Sequence, residues 1–231
     1  MKISIIIPCY NEEKYILKVL KNVNIQKKKF NLEIIVSDDG SKDKTLVLLK
    51  KNKKLYNKLI TSKMNYGKGS AIRKAFSVAS GKYVLIQDAD LEYSPKDYSK
   101  IFDPALKNNA DVVFGSRFIS SENRRVIYYQ HQIANKIITF LCNIITNVNL
   151  SDVEVGYKLI KTSIVKKLNL KENSFGIEIE LAVKLAKLKL RIFEVGISYN
   201  GRSYEEGKKI KAIDAFIAIY CIFKYRFFSG K

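Results

Sequence analysis

Asp88, Asp90 and Glu92 stand at alternate positions in "VLIQDADLEYSP" (84–95), directly after an apolar run that reads as a buried strand. Side chains two apart on an extended chain point to the same side, so the three carboxylates are expected to converge on one spot. Convergence costs several kcal/mol in repulsion and desolvation unless a cation sits there. Carboxylate oxygens without thiol or imidazole suit a hard divalent ion, Mg²⁺ or Mn²⁺, bridging a diphosphate. The competing reading is an acidic turn that closes a strand.

The elements before and after this stretch decide between the two. Through residue 116, β-branched runs alternate with amphipathic ones. Strands are expected at 3–8, 32–37, 58–61, 82–87 and 111–116, with helices at 12–26, within 43–53, at 69–79 and from Pro95. Strands alternating with helices build a parallel sheet covered on both faces, and such sheets bind ligands beyond the carboxyl ends of their strands. Those ends carry Pro8, Cys9, Tyr10, Asn11 and Glu12; then Asp38, Asp39, Gly40 and Ser41; then the three carboxylates; then Gly115, Ser116 and Arg117. An isolated acidic turn gives no reason for polar groups at neighbouring strand ends, so the pattern favours a nucleotide site with a divalent metal. Gly67, Lys68 and Gly69 in "NYGKGSAIR" open a helix and read either as a phosphate or base contact or as a plain entry turn.

Composition narrows the class. A chain of 231 residues with 47% hydrophobic and 11% aromatic content folds around a substantial core. Cys9, Cys142 and Cys221 are odd in number and far apart, which suits free thiols in a reducing compartment. His131 is the only histidine, which excludes multi-histidine metal sites. Forty-two Lys and Arg against 22 Asp and Glu leave a net charge of +20, attractive to polyanions or an anionic membrane, or simply the mark of a basic proteome. The start "MKISIIIPCYNEE" is too short in its apolar run for a signal peptide, and no stretch reaches the roughly 20 apolar residues of a spanning helix.

In order and spacing, "SIIIPCYNEE", "VSDDGSKDKT", "NYGKGSAIR", "QDADLEYSP" and "VFGSRF" resemble the family 2 glycosyltransferases. "HQIANKIITFLCNIITNVNLSDVEVGYKLIK", "FGIEIELAVKLAK" and "ISYNGRSYEEGKKI" resemble the branch that moves a sugar onto a polyprenyl phosphate, the dolichyl-phosphate mannose and glucose synthases and their bacterial relatives. The resemblance implies an α/β GT-A fold in one domain, with 1–118 as the nucleotide-sugar half, 119–209 as the acceptor half and 210–231 as a membrane-facing tail. It implies that Pro8, Tyr10, Glu12 and Asp39 line the nucleoside pocket with Lys68, that Asp88 contacts the donor, and that Asp90 and Glu92 hold the metal. Many synthases have glutamine at the last of these positions. Arg117, Arg202 and Lys208 would handle phosphates of donor and acceptor. Relatives often carry Thr and Cys where this chain has Val155 and Gly156, so neither of these is given a catalytic role.

Four further side chains stay open. Asp152 is either a sugar contact or a loop cap. Glu178 and Glu180 are two apart and share no helix face, so one is expected to face the sugar and the other solvent, with Glu178 favoured for the sugar. His131 is either a core histidine or a ligand of the acceptor phosphate.

Residues 128–148 and 210–228 are apolar and interrupted by polar groups, which suits helices lying in a membrane interface or packed on the sheet. The expected function is inverting transfer of a hexose from a UDP- or GDP-hexose to a polyprenyl phosphate, by an enzyme bound peripherally to the cytoplasmic membrane face. Its anchor would be these helices, a separate subunit or another copy of the chain. The rivals are a hydroxyl acceptor in polysaccharide or glycolipid assembly, and a non-catalytic basic module. A nucleic-acid partner is not expected, because carboxylates rather than interleaved aromatic and basic groups occupy the strand ends.

Overall fold

The computed structural model describes residues 1–119, 125–126, 128–203, 205–206 and 212–228. Its strands are β1 (Lys2–Cys9), β2 (Asn31–Asp38), β3 (Lys58–Thr61), β4 (Tyr83–Ile86), β5 (Val112–Ser116), β6 (Lys158–Lys161) and β7 (Ile192–Gly196). The helices are α1 (Ile16–Gln26), α2 (Thr45–Lys51), α3 (Lys68–Val78), α4 (Tyr98–Lys107), α5 (Tyr129–Thr146), α6 (Thr162–Val165), α7 (Ile177–Ala186) and α8 (Ala212–Phe223). The strands form one sheet in the order β3-β2-β1-β4-β6-β5-β7. β1 is flanked in parallel by β2 and β4, and its Ile3, Ile5, Ile6 and Ile7 are all buried. Apolar side chains on both faces are what a strand covered by helices on either side requires.

β6 runs against the rest, antiparallel to both β4 and β5. This reversal is absent from the strand-by-strand expectation, and it matters for the site. The amino end of β6 lies beside the carboxyl ends of its neighbours, so residues 152–157 enter the same rim as Asp88 and Arg117. The register sets Lys158 opposite Phe114, and Gly115 N–H donates to Tyr157 O at 2.8 Å.

The loop before α7 is tied to three helices. Backbone N–H groups of Lys171 and Glu172 donate to the Glu180 carboxylate at 2.7–2.9 Å. Arg73 on α3 donates to Glu172 O, and Lys224 and Tyr225 after α8 reach the Glu172 carboxylate at 2.8 and 2.6 Å. Glu180 is fully buried and also meets Lys184 at 2.7 Å, so the expectation of a solvated partner to Glu178 is corrected. The glycines of "NYGKGS" are explained here: a Cβ on Gly67 or Gly69 would collide with the backbone of residues 172–174, and Gly67 has φ +100°. Close passage of this loop requires glycine at both positions.

Candidate active site

A cavity of about 660 Å³ opens at the carboxyl ends of the strands. Pro8, Tyr10, Glu12, Asp39, Lys68, Asp88, Asp90, Glu92, Arg117, His131, Glu178 and Arg202 all line it. Lys208 lies outside the described residues.

At the β2 end, Asp39 is 2% exposed. Its Oδ2 accepts from Tyr66 N–H at 2.8 Å and Gly67 N–H at 2.6 Å, while Oδ1 is buried without a hydrogen-bond partner among the described residues. A buried carboxylate oxygen left in that condition is suited to accept from a ligand N–H or O–H.

The three carboxylates do not converge on a single spot. β4 stops at Ile86 and residues 89–92 bend, so the alternation of an extended strand no longer governs the three carboxylates. Asp88 turns to Lys68, 2.7 Å away, and its Oδ2 would stand 2.6 Å from a Cβ at Gly156. A side chain at 156 would push the Asp88 carboxylate aside. Asp90 and Glu92 turn instead to Arg202, whose Nη2 is 2.7 Å from Asp90 Oδ2 and whose Nε is 3.3 Å from Glu92 Oε1. Arg202 Nη1 lies 3.7 Å from Glu12. Tyr199 O–H and Asn200 N–H complete the attachment, donating to the Glu92 carboxylate and carbonyl at 3.0 and 2.9 Å. Burial pushes the Asp90 carboxyl up to about 7, helped by Glu92 and Asp88 and opposed by Arg202. A hard divalent cation fits this donor set, since it would relieve the carboxylate repulsion that raises Asp90. Among the described residues no group of three or more acidic, His or Cys side chains forms a complete cage. A metal held by Asp90 and Glu92 would therefore take its other ligands from donor phosphate and water.

Arg117 reaches the cavity from the end of β5, yet its Nε and Nη2 are held by Asp152 at 2.6 and 2.7 Å. Asp152 is fully buried and does not line the cavity. Of the two readings left open for Asp152, a sugar contact or a loop cap, neither names this pairing: Asp152 is the counter-ion that aims Arg117. The β6 reversal brings these two together, and nothing local to either residue announces it.

Two residues were passed over in the sequence. Glu154 lines the cavity, accepts from Asn135 Nδ2 at 3.2 Å, and has its carboxyl pushed up to about 7 by burial, with Arg117 opposing. Lys158 is fully buried within β6 and bonds Val155 O and Glu178 Oε2. The available signal was a charge inside an apolar strand pattern, "VGYKLI". His131 is half-exposed on α5 at the cavity edge, its ring 5.1 Å from that of Tyr128.

The family model for glycosyl transferase family 2 matches residues 4–168. The chain belongs to glycosyl transferase family 2. As a family member it is 34% identical, over 89% of its length and 93% of the relative's, to an uncharacterised protein of Methanocaldococcus jannaschii. It is 28% identical to the dolichol-phosphate mannosyltransferase of Pyrococcus furiosus, covering 91% of this chain and 61% of that protein. It is also 28% identical to the dolichyl-phosphate beta-glucosyltransferase of Dictyostelium discoideum, covering 85% and 66%. The chain therefore spans about two thirds of these two synthases. Among solved structures, glucosyl-3-phosphoglycerate synthase from Mycobacterium tuberculosis in complex with phosphoglyceric acid superposes with a TM-score of 0.75 at 17% identity, over 100% of this chain and 81% of that one. The same enzyme has been crystallised with Mn²⁺ and UDP-glucose. The fold of this glycosyltransferase is GT-A, with its mostly parallel sheet flanked by helices.

Proposed function

We propose that this glycosyltransferase moves a hexose from a UDP- or GDP-hexose to a polyprenyl phosphate, bound peripherally at the cytoplasmic face of a membrane. The observation that carries the proposal is the make-up of the cavity mouth. Its floor is the carboxylate and arginine cluster, while its walls include His131, Ala134 and Ile138 of α5 and Ala215, Phe216 and Ala218 of α8. These two helices pack together, and beyond the cavity they expose Ile133, Ile137, Phe140 and Ile144 on one and Phe216, Tyr220 and Phe223 on the other. Phe140 is 62% and Phe216 69% exposed. An apolar stripe edged by Lys136 and Arg226, continuous with a polar cavity, suits a lipid whose phosphate must reach the donor. Among the described residues no helix is long and apolar enough to cross a membrane.

In this reading Pro8, Tyr10, Glu12 and Asp39 hold the nucleoside, with Asp39 Oδ1 accepting from the base or ribose. Asp88 contacts the donor sugar. Asp90 and Glu92 hold Mg²⁺ or Mn²⁺, which offsets charge on the departing diphosphate. The acceptor phosphate is already an anion and needs no base; it needs cations to approach an anionic donor, and Arg117, Arg202 and Lys208 supply them, with His131 as a further ligand of the phosphate. In-line attack forms the bond from phosphate oxygen to C1 as the bond from C1 to the diphosphate breaks, which inverts the anomeric centre. An α-linked donor then yields a β-linked lipid and a nucleoside diphosphate.

Glu154 favours a second reading, transfer to a hydroxyl. A cavity-lining carboxyl with a pKa of about 7 is suited to take the proton of an attacking hydroxyl. Phosphoglyceric acid in the Mycobacterium tuberculosis structure keeps that reading open. Glu154→Gln separates the two. Transfer to a short polyprenyl phosphate should stay within a few-fold of the parent rate; a parent that glycosylates only hydroxyl acceptors, and loses that transfer with its rate rise through pH 7 in this variant, would establish the hydroxyl reading.

A further inference from the structure

Four charges form a row from the core to the cavity. Lys158 on β6 meets Glu178 Oε2 on α7 at 2.5 Å; Glu178 Oε1 lies 3.0 Å from Lys68 on α3; Lys68 lies 2.7 Å from Asp88 after β4. Their side chains are 0%, 7%, 17% and 19% exposed in that order, and all but Lys158 line the cavity. The signs alternate and sum to zero. Burial lowers the Lys158 ammonium below its ordinary value, and Glu178 chiefly works against that, with Asp152 adding to it.

We infer that Lys158 and Glu178 are positioning residues for the donor sugar: together they fix the Lys68 ammonium against Asp88, and so hold Asp88 in its sugar-contacting orientation. The inference rests on the nucleotide-sugar reading above. Glu178 has two oxygens and shares them between two lysines. Without Lys158 its charge falls wholly on Lys68, which is drawn towards α7 and away from Asp88. Asp88 then loses its cation, and nothing opposes rotation away from Gly156. The Asp39 carboxylate, fixed at the β2 end by the Tyr66 and Gly67 backbone N–H groups, keeps those bonds when the Lys68 ammonium shifts. The effect is therefore expected on the sugar and not on the nucleoside diphosphate.

The test measures binding of UDP, GDP and their glucose and mannose conjugates to the full chain with Mn²⁺, alongside Tm and donor KM. Lys158→Met should weaken the bound nucleotide sugar tenfold or more, raise donor KM in step, and leave the matching nucleoside diphosphate within twofold. Should that variant fold poorly, Glu178→Gln keeps the shape of the site and carries the same expectation. The pair Lys158→Met with Glu178→Leu removes both buried charges; it should recover Tm while sugar binding stays weak, because Lys68 still lacks its second anchor. If sugar and diphosphate binding weaken together, or if the double variant restores Tm and sugar binding alike, the pair only packs the core and the inference is overturned. A parent chain that binds the diphosphates but none of the sugars overturns the donor reading itself, which is a different outcome from the variants behaving alike.

Discussion

At the residue scale, charge pairing explains more than the identity of any one side chain. Asp90 is buried against Arg202, but Arg202 keeps Glu92 and Glu12 as partners, so Asp90→Asn should retain the parent Tm within a few degrees and lose most metal-dependent nucleotide-sugar binding, read as the Mn²⁺-dependent shift in melting temperature. Arg117 and Asp152 act as a unit. Removing either partner of a buried pair costs about 3–5 kcal/mol, since the other is left uncompensated. Arg117→Ala and Asp152→Asn should therefore each lower Tm, and because Asp152 aims Arg117 each should also slow transfer to polyprenyl phosphate by orders of magnitude, with the double variant little worse than either alone. Additive losses would mean that the two act separately. The types and places of the donor-side residues were legible because each follows a recognisable strand end. Asp152 was not, because its partner is 35 positions away and comes close only through the reversed strand.

At the element scale, β-branched runs marked β1 to β5 to within a residue or two, and β3 coincides with 58–61. The direction of β6 was invisible, since "KLIK" reads the same whichever way its neighbours run. That single reversal delivers Glu154, Gly156 and Lys158 to the site. The "GKG" turn was legible as a helix entry but not as the seat of the 172–174 loop. Gly69→Ala forces a side chain into that backbone and should lower stability by about 1–3 kcal/mol, typical of overpacking, seen as a lower midpoint in urea at unchanged slope. The α5 and α8 stripes make a separate prediction. Phe140→Asp with Phe216→Asp should detach the protein from anionic vesicles without lowering Tm, since both side chains are exposed. Vesicle binding that survives this change would move the membrane contact elsewhere.

Across the whole molecule, a net charge of +20 with apolar helix faces predicts membrane binding that needs anionic lipid and weakens as salt shortens the Debye length from about 10 Å at 0.1 M. Stability should depend on pH through a site remote from the cavity. Glu33 on β2 accepts from Ser4 O–H at 2.5 Å and Ser80 N–H at 2.9 Å and pairs with Lys58 at 3.0 Å. Burial alone would raise its carboxyl, but these partners bring it down to about 2. A depressed pKa contributes stability above the ordinary carboxylate range, and this contribution is lost as pH falls from about 4.5 towards 2. Glu33→Gln should therefore lower Tm near neutrality, with the difference from the parent closing as pH approaches 2.

The central claim is tested most directly by following label from UDP- or GDP-hexose, with Mg²⁺ or Mn²⁺, in vesicles containing a short polyprenyl phosphate. The account predicts metal-dependent transfer of label to the lipid for one donor, through a β-linked glycosyl phosphate, with release of the nucleoside diphosphate. Label that reaches only a hydroxyl acceptor, or an α-linked lipid product from an α-linked donor, would contradict it.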